Sequence, residues 1–185
     1  MHVGAELVAL RRPPHRGHHP VADLDDPRTR ELAQAFGAPV MVHARLRDGS
    51  LRQAAVEVGA KVLLYEAGEA LRFDAVSIAT GVAGIRRVLE HLGMVDPQPT
   101  GGPLPSAVES RSTGWVRARG TGILNLETEL GAFVEAGQRL GGLSDTFGRR
   151  VRLVRADRSG IVIGLTRAPV VNAGDALVHI AAVEQ

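Results

Sequence analysis

Between residues 26 and 95 the apolar positions switch repeatedly between helical and extended spacing. In "DDPRTRELAQAFG" they recur at helical intervals, with Asp26 placed to cap the N-terminus, Pro27 at the first helical position and Gly37 as terminator. "PVMVHA" (39–44) is a short strand candidate. "RDGSLRQAAVEVG" then predicts a turn at Asp48-Gly49, a cap at Ser50 and a helix closing at Gly59. "AKVLLY" (60–65) is an unbroken apolar run of strand length, as expected of a strand covered on both faces. The longest helical pattern follows, in "FDAVSIATGVAGIRRVLEHLGM". Asp74 is its expected N-cap, Phe73 is expected to staple onto Ile78, and Ile78, Val82, Ile85, Val88, Leu89 and Leu92 form the face expected to meet the core. Alternation of this kind predicts an α/β layer on a largely parallel sheet.

The grammar changes after "DPQPTGGPLPSAVES" (96–110), a Pro/Gly-rich stretch that reads as a linker. The predicted organisation is therefore a partial α/β domain over residues 1–95, a linker over 96–110 and a β-rich domain over 111–185. The second half contains an internal repeat: "FVEAGQRLGGL" (133–143) aligns without gaps on "VVNAGDALVHI" (170–180), each preceded by "GIL" or "GIV". Two similar β-units imply a pseudo-twofold sandwich or barrel, with Gly137 and Gly174 at turns that need positive φ. The pattern resembles the barrel-sandwich hybrid of biotinyl and lipoyl carrier domains. Those carriers need a lysine at a hairpin tip and this half has none, so a carrier role is excluded and a framing role is expected.

Composition narrows the classes further. At 185 residues and 44% hydrophobic the chain is able to bury a core, and without cysteine it has no disulfide, thiolate metal site or Cys nucleophile. No secretory pattern or membrane-length apolar run is evident, which points to a soluble cytoplasmic protein with no membrane partner. The isoelectric point near 9.9 accompanies a net charge of only +2 and a single lysine, Lys61, so it reflects scattered arginine. With 3% aromatics there is no stacking platform, and no nucleic-acid partner is expected.

Among candidate chemical groups, Glu66 stands out. It follows a buried apolar strand, with Gly68 behind it, and ligands of open α/β sheets gather beyond the carboxyl ends of strands. A carboxylate there suits a general base; the plainer alternatives are a solvated strand end or a pair with Arg72. Glu69 and Arg72, three apart, read as a local ion pair. His15, His18 and His19 sit among prolines and a glycine that forbid a helix, leaving at most an opportunistic chelate. Asp23, Asp25 and Asp26 read as a solvated turn and a helix cap. His43, His91 and His179 are isolated and read as structural.

Taken together, "ADLDDPRTRELAQAFGAPV", "RDGSLRQAA", "VLLYEAGEALRFD", "GVAGIRRVLEHLGM" and the stretch from "VEAGQRLGGLSDTFG" to "GDALVHIA" resemble the succinylglutamate desuccinylase/aspartoacylase family, of the zinc carboxypeptidase-like fold. The resemblance runs in order from about Ala22 to Ala182. It implies a back half of a zinc carboxypeptidase-like α/β domain followed by a small barrel-sandwich-like β-domain, and a zinc-bound water that removes the acyl group of a small N-acyl amino acid. Glu66 matches the family's catalytic glutamate. The family's "HGxE" zinc ligands and its "NR"-type substrate motif have no counterpart here, and the place of the third ligand, a histidine in "DLH", falls on Leu10 or Arg11. The expectation is a truncated or degenerate member, from a gene fragment or a start-site or frame artefact, without bound zinc and inactive alone. A non-catalytic binding or assembly module using the β-domain is the alternative. Loss of the front strands would also leave an unpaired apolar sheet edge, through which self-association is expected.

Overall fold

The computed structural model describes residues 3–8, 19–69, 72–98 and 106–183, which fall into two compact units, 3–8 with 19–111, and 112–183. His15, His18, Leu10 and Arg11 lie outside the described residues.

The first unit is a five-stranded sheet with three helices. In chain order its elements are β1 (Val3–Val8), β2 (His19–Ala22), α1 (Pro27–Phe36), β3 (Val40–His43), α2 (Leu51–Glu57), β4 (Lys61–Glu66), α3 (Ala75–His91) and β5 (Val108–Ser110). The caps follow the chemistry of the sequence. Asp26, Ser50 and Asp74 accept from Thr29, Gln53 and Ser77 backbone N–H groups, and Gly37 takes a left-handed conformation after α1. The sheet order is β1-β4-β2-β3-β5. The sheet is largely parallel, as expected: β1–β4, β2–β3 and β3–β5 are parallel pairs, and the exception is β2, which runs antiparallel to β4. β4 is interior, flanked by β1 and β2, so the apolar run is not the exposed edge; the edge strands are β1 and β5. Val108–Ser110, read as linker, are paired with β3.

The larger departure concerns α3. Ser77, Gly81, Gly84 and Val88 are its buried residues. Ile78, Val82 and Ile85 are exposed, and Phe73 is 98% exposed, so no staple to Ile78 forms. The helix is turned by about one residue from the expected setting. The cause is the floor beneath it: the rings of Phe36 and Tyr65 lie 5.2 Å apart and fill the interface. A Cβ at Gly84 would stand 2.4 Å from the Phe36 ring, and one at Gly81 2.9 Å from Tyr65, so only the small stripe fits there. Arg87 locks the packing by donating twice to the Phe36 carbonyl, at 2.6 and 3.0 Å.

The second unit holds β6 (Thr113–Arg117), β7 (Gly122–Leu126), β8 (Phe133–Val134), β9 (Arg139–Ser144), β10 (Arg150–Arg155), β11 (Gly160–Leu165), β12 (Val170–Val171) and β13 (Ala176–Ala182). They form two four-stranded sheets, β6-β13-β11-β8 and β10-β9-β7-β12. Replacing each of β6–β9 by the strand four later, and the reverse, converts one order into the other. The repeat is therefore a twofold in the topology, and each half contributes two strands to each sheet. Gly137 and Gly174 have φ of 82° and 92°, and each turn is tied to a matching partner: Gly137 N–H donates to the Ala156 carbonyl and Gly174 N–H to that of Ala118. Val134, Leu140, Val162, Leu177 and Ile180 fill the space between the sheets.

Gly160 tests that packing. Its φ is 157°, and a Cβ would fall 2.0 Å from the Ala181 carbonyl oxygen. Gly160→Ala is expected to cost about 2–4 kcal/mol, read as a fall in Tm or denaturation midpoint. Gly174→Ala, at positive φ with open space around it, is expected to cost about 1 kcal/mol. Equal losses in the two variants would remove the steric argument.

Candidate functional site

Glu66 is the last residue of β4, and Gly68 just beyond it has φ of 84°. The parallel register sets it opposite Val8, and the antiparallel register sets it opposite His19. His19 is thus a strand residue rather than part of an exposed chelating run. Its Nε2 lies 3.8 Å from Glu66 Oε2, with the imidazole 2% and the carboxylate 20% exposed. The arrangement is a carboxylate at the lip of a sheet beside a buried imidazole, a pair able to hold or pass a proton. It owes its existence to the antiparallel β2–β4 register, which the apolar pattern does not encode.

A cavity lies on the other side of the sheet. Leu63, Tyr65 and Ala67 alternate toward it from β4, Phe36, Ile78 and Val82 complete much of its wall, and its volume is about 500 Å³. Glu66 alternates to the opposite face. Glu69, Arg72, Asp74 and Ser77 supply the cavity's polar rim. Glu69 and Arg72 approach to 3.9 Å, the local ion pair expected from their spacing.

Among the described residues one group of three, Asp23, Asp25 and His43, brings metal-ligand atoms close together. His43 Nδ1 accepts the Leu24 N–H at 3.1 Å, which puts the ring proton on Nε2, 3.7 Å from Asp25 Oδ2. Neither ring nitrogen then offers a lone pair. Asp25 is also engaged by Arg111 at 2.7 Å, and that guanidinium holds its carboxyl below the usual range. These groups do not fit zinc; they fit a hydrogen-bonded turn. Asp26 is the expected cap, and its carboxyl is lowered by Thr29 and Lys61. The other isolated histidines have structural surroundings. His91 meets Glu31 at 2.8 Å, and His179 stacks on Trp115 at 4.5 Å. Burial, with Arg158 nearby, pushes the His179 pKa down to about 4.

Comparison with known proteins adds the relatives of this fold. No family model and no curated protein matches the sequence. Solved structures do. The apo ectoine utilization protein EutE (DoeB) from Ruegeria pomeroyi superposes with a TM-score of 0.82 at 22% identity, covering 97% of this chain and 60% of that one. A succinylglutamate desuccinylase/aspartoacylase from Rhodobacter sphaeroides gives 0.78 at 23%, covering 98% and 58%. An aspartoacylase family protein from Mesorhizobium loti gives 0.73 at 19%, covering 99% and 57%. The chain has the fold of these proteins. It spans about 60% of the length of the EutE structure. The described residues include no helix long and apolar enough to cross a membrane.

Tyr65 is the only tyrosine, and its hydroxyl donates to the Ser77 carbonyl at 3.1 Å. Burial pushes its pKa from 10.0 up to about 12, against a lowering bond from Thr80, with a further rise from Asp74. A pKa raised by folding contributes stability that is whole below pH 10 and is lost as pH climbs through 12. Phenolate absorbance of the native chain is therefore expected to rise with a midpoint near pH 12, shifting to about 10 in denaturant. A native midpoint near 10 would mean that the Phe36–Tyr65 floor is open to water.

Proposed function

We propose that this chain belongs to the succinylglutamate desuccinylase/aspartoacylase family, retains the strand-end carboxylate position of that family's hydrolases in Glu66, and does not hydrolyse small N-acyl amino acids on its own. The observation that carries the reading is the setting of Glu66. It stands at the carboxyl end of an interior strand, in a fold that matches these proteins over nearly the whole chain, yet no described group near it fits zinc.

The Glu66–His19 pair supports proton handling as the residual chemistry of this position. The carboxylate keeps one-fifth of its surface in water while the imidazole 3.8 Å away is buried, so a proton can reach the pair from the carboxylate side. Hydrolysis of an unactivated amide needs more than a base: it also needs an electrophile to stabilise charge on the carbonyl oxygen. Neither Asp25 nor His43 offers a place for one, for the tautomer and ion-pair reasons above. The comparison proteins have about two-fifths of their length outside the match, and in this reading the groups that select and polarise the acyl substrate belong to that part.

The test is metal analysis and turnover on untagged protein. Purified chain dialysed against micromolar zinc is expected to retain far less than one zinc per chain. N-acetyl and N-succinyl amino acids are expected to be hydrolysed no faster by wild type than by Glu66→Gln. Near-stoichiometric zinc, together with turnover at least tenfold higher in wild type than in Glu66→Gln, would overturn the proposal.

A further inference from the structure

Turned small side inward, α3 presents a second seam to solvent. Ile78, Val82, Ile85 and Leu89 are spaced 4, 3 and 4 apart, the a/d rhythm by which one helix packs on another, while Leu92, next in the series, packs against the core. Val82 at the centre is 62% exposed, Ile78 and Ile85 are about half exposed, and Phe73 and Met94 extend the apolar surface past both ends. With Val76, these side chains leave roughly 700 Å² in water at ordinary side-chain areas, well beyond the few hundred Å² of a usual monomer patch.

The seam is also symmetric about the point between Ala83 and Gly84. Val82 and Ile85 are equidistant from it, as are Ile78 and Leu89, Ala75 and Leu92, and Phe73 and Met94. An antiparallel copy of the same helix therefore meets Phe73, Ile78, Val82, Ile85, Leu89 and Met94 with apolar residues, and Val76, at the margin of the face, falls opposite His91. The charges agree with this pairing: Arg86, Arg87 and Glu90 fall opposite Gly81, Thr80 and Ser77, so no like charges face each other. We propose that a second copy of this chain covers this face, through antiparallel, twofold pairing of α3 with α3. Joining two such faces would remove at most roughly 1,400 Å², which reaches the range of stable specific interfaces. The inference stands on the first unit alone and does not depend on the hydrolase reading. It places self-association on a helix face and not on the sheet edge.

Light scattering across a hundredfold range of concentration is expected to show a dimer. Val82→Glu, on an exposed position that leaves the Phe36–Tyr65 floor intact, is expected to raise the dissociation constant at least a hundredfold, with an unchanged circular dichroism spectrum. The chain has no cysteine, so directed cross-linking is clean. Ile78→Cys and Leu89→Cys variants are expected to form disulfide-linked dimers when mixed, and not separately. A wild-type monomer at all concentrations would overturn the proposal and leave the face to a different polypeptide, such as one equivalent to the unmatched part of the comparison proteins. A dimer indifferent to Val82→Glu would overturn it too, as would cross-linking of Ile78→Cys alone, which requires parallel helices.

Discussion

The contact between two aromatic rings and two glycines sets the geometry of the first unit. Phe36, at the end of α1, and Tyr65, on β4, form a floor across which α3 must lie. A ring face admits a helix backbone closely only where side chains are missing, and Gly81 and Gly84 supply that stripe. Once they face inward the azimuth of the helix is settled. Val88 reaches the core, Asp74 caps over Ser77, Tyr65 bonds the Ser77 carbonyl, and the large aliphatic residues are carried round to the open side. The seam forms the helix wall of the cavity, and the two share this cause.

The second unit is governed by symmetry. Each of its two halves supplies two strands to each sheet, so neither half completes a sheet alone, and burial of Leu140 and Leu177 requires both copies at once. Close backbone approach is part of this arrangement. Gly141 lies against the Asn125 carbonyl and Gly160 against that of Ala181, where any side chain would collide.

How much of this the sequence reveals depends on whether a signal is local. Caps at Asp26, Ser50 and Asp74 were legible because capping is a contact between residues three apart. The β-repeat was legible because a gapless alignment is itself evidence of symmetry. The rotation of α3 was not. A hydrophobic face predicts burial only if the fold supplies a surface to receive it, and the inward stripe carries Ser77 and two glycines, which periodicity counts as neutral or polar. The His19–Glu66 approach was likewise hidden, because it depends on a strand reversing direction after residues whose pattern does not fix their pairing partner. The His43–Asp25–Arg111 network joins residues up to 86 positions apart and left no local trace.

These features differ in what they cost the molecule, and the difference decides which of them asks for an explanation. A partly solvated glutamate at a strand end, such as Glu66, can persist with little effect on folding. A turn of aspartates around a histidine is stabilised by its own hydrogen bonds and needs no ion. An aliphatic seam at helical spacing is different. Each Å² of it left in water forgoes about 25 cal/mol, and the rings of Phe36 and Tyr65 prevent the helix from turning it inward. The constraint that packs the first unit therefore leaves this seam open among the described residues, and the proposed twofold pairing of α3 would withdraw it from water.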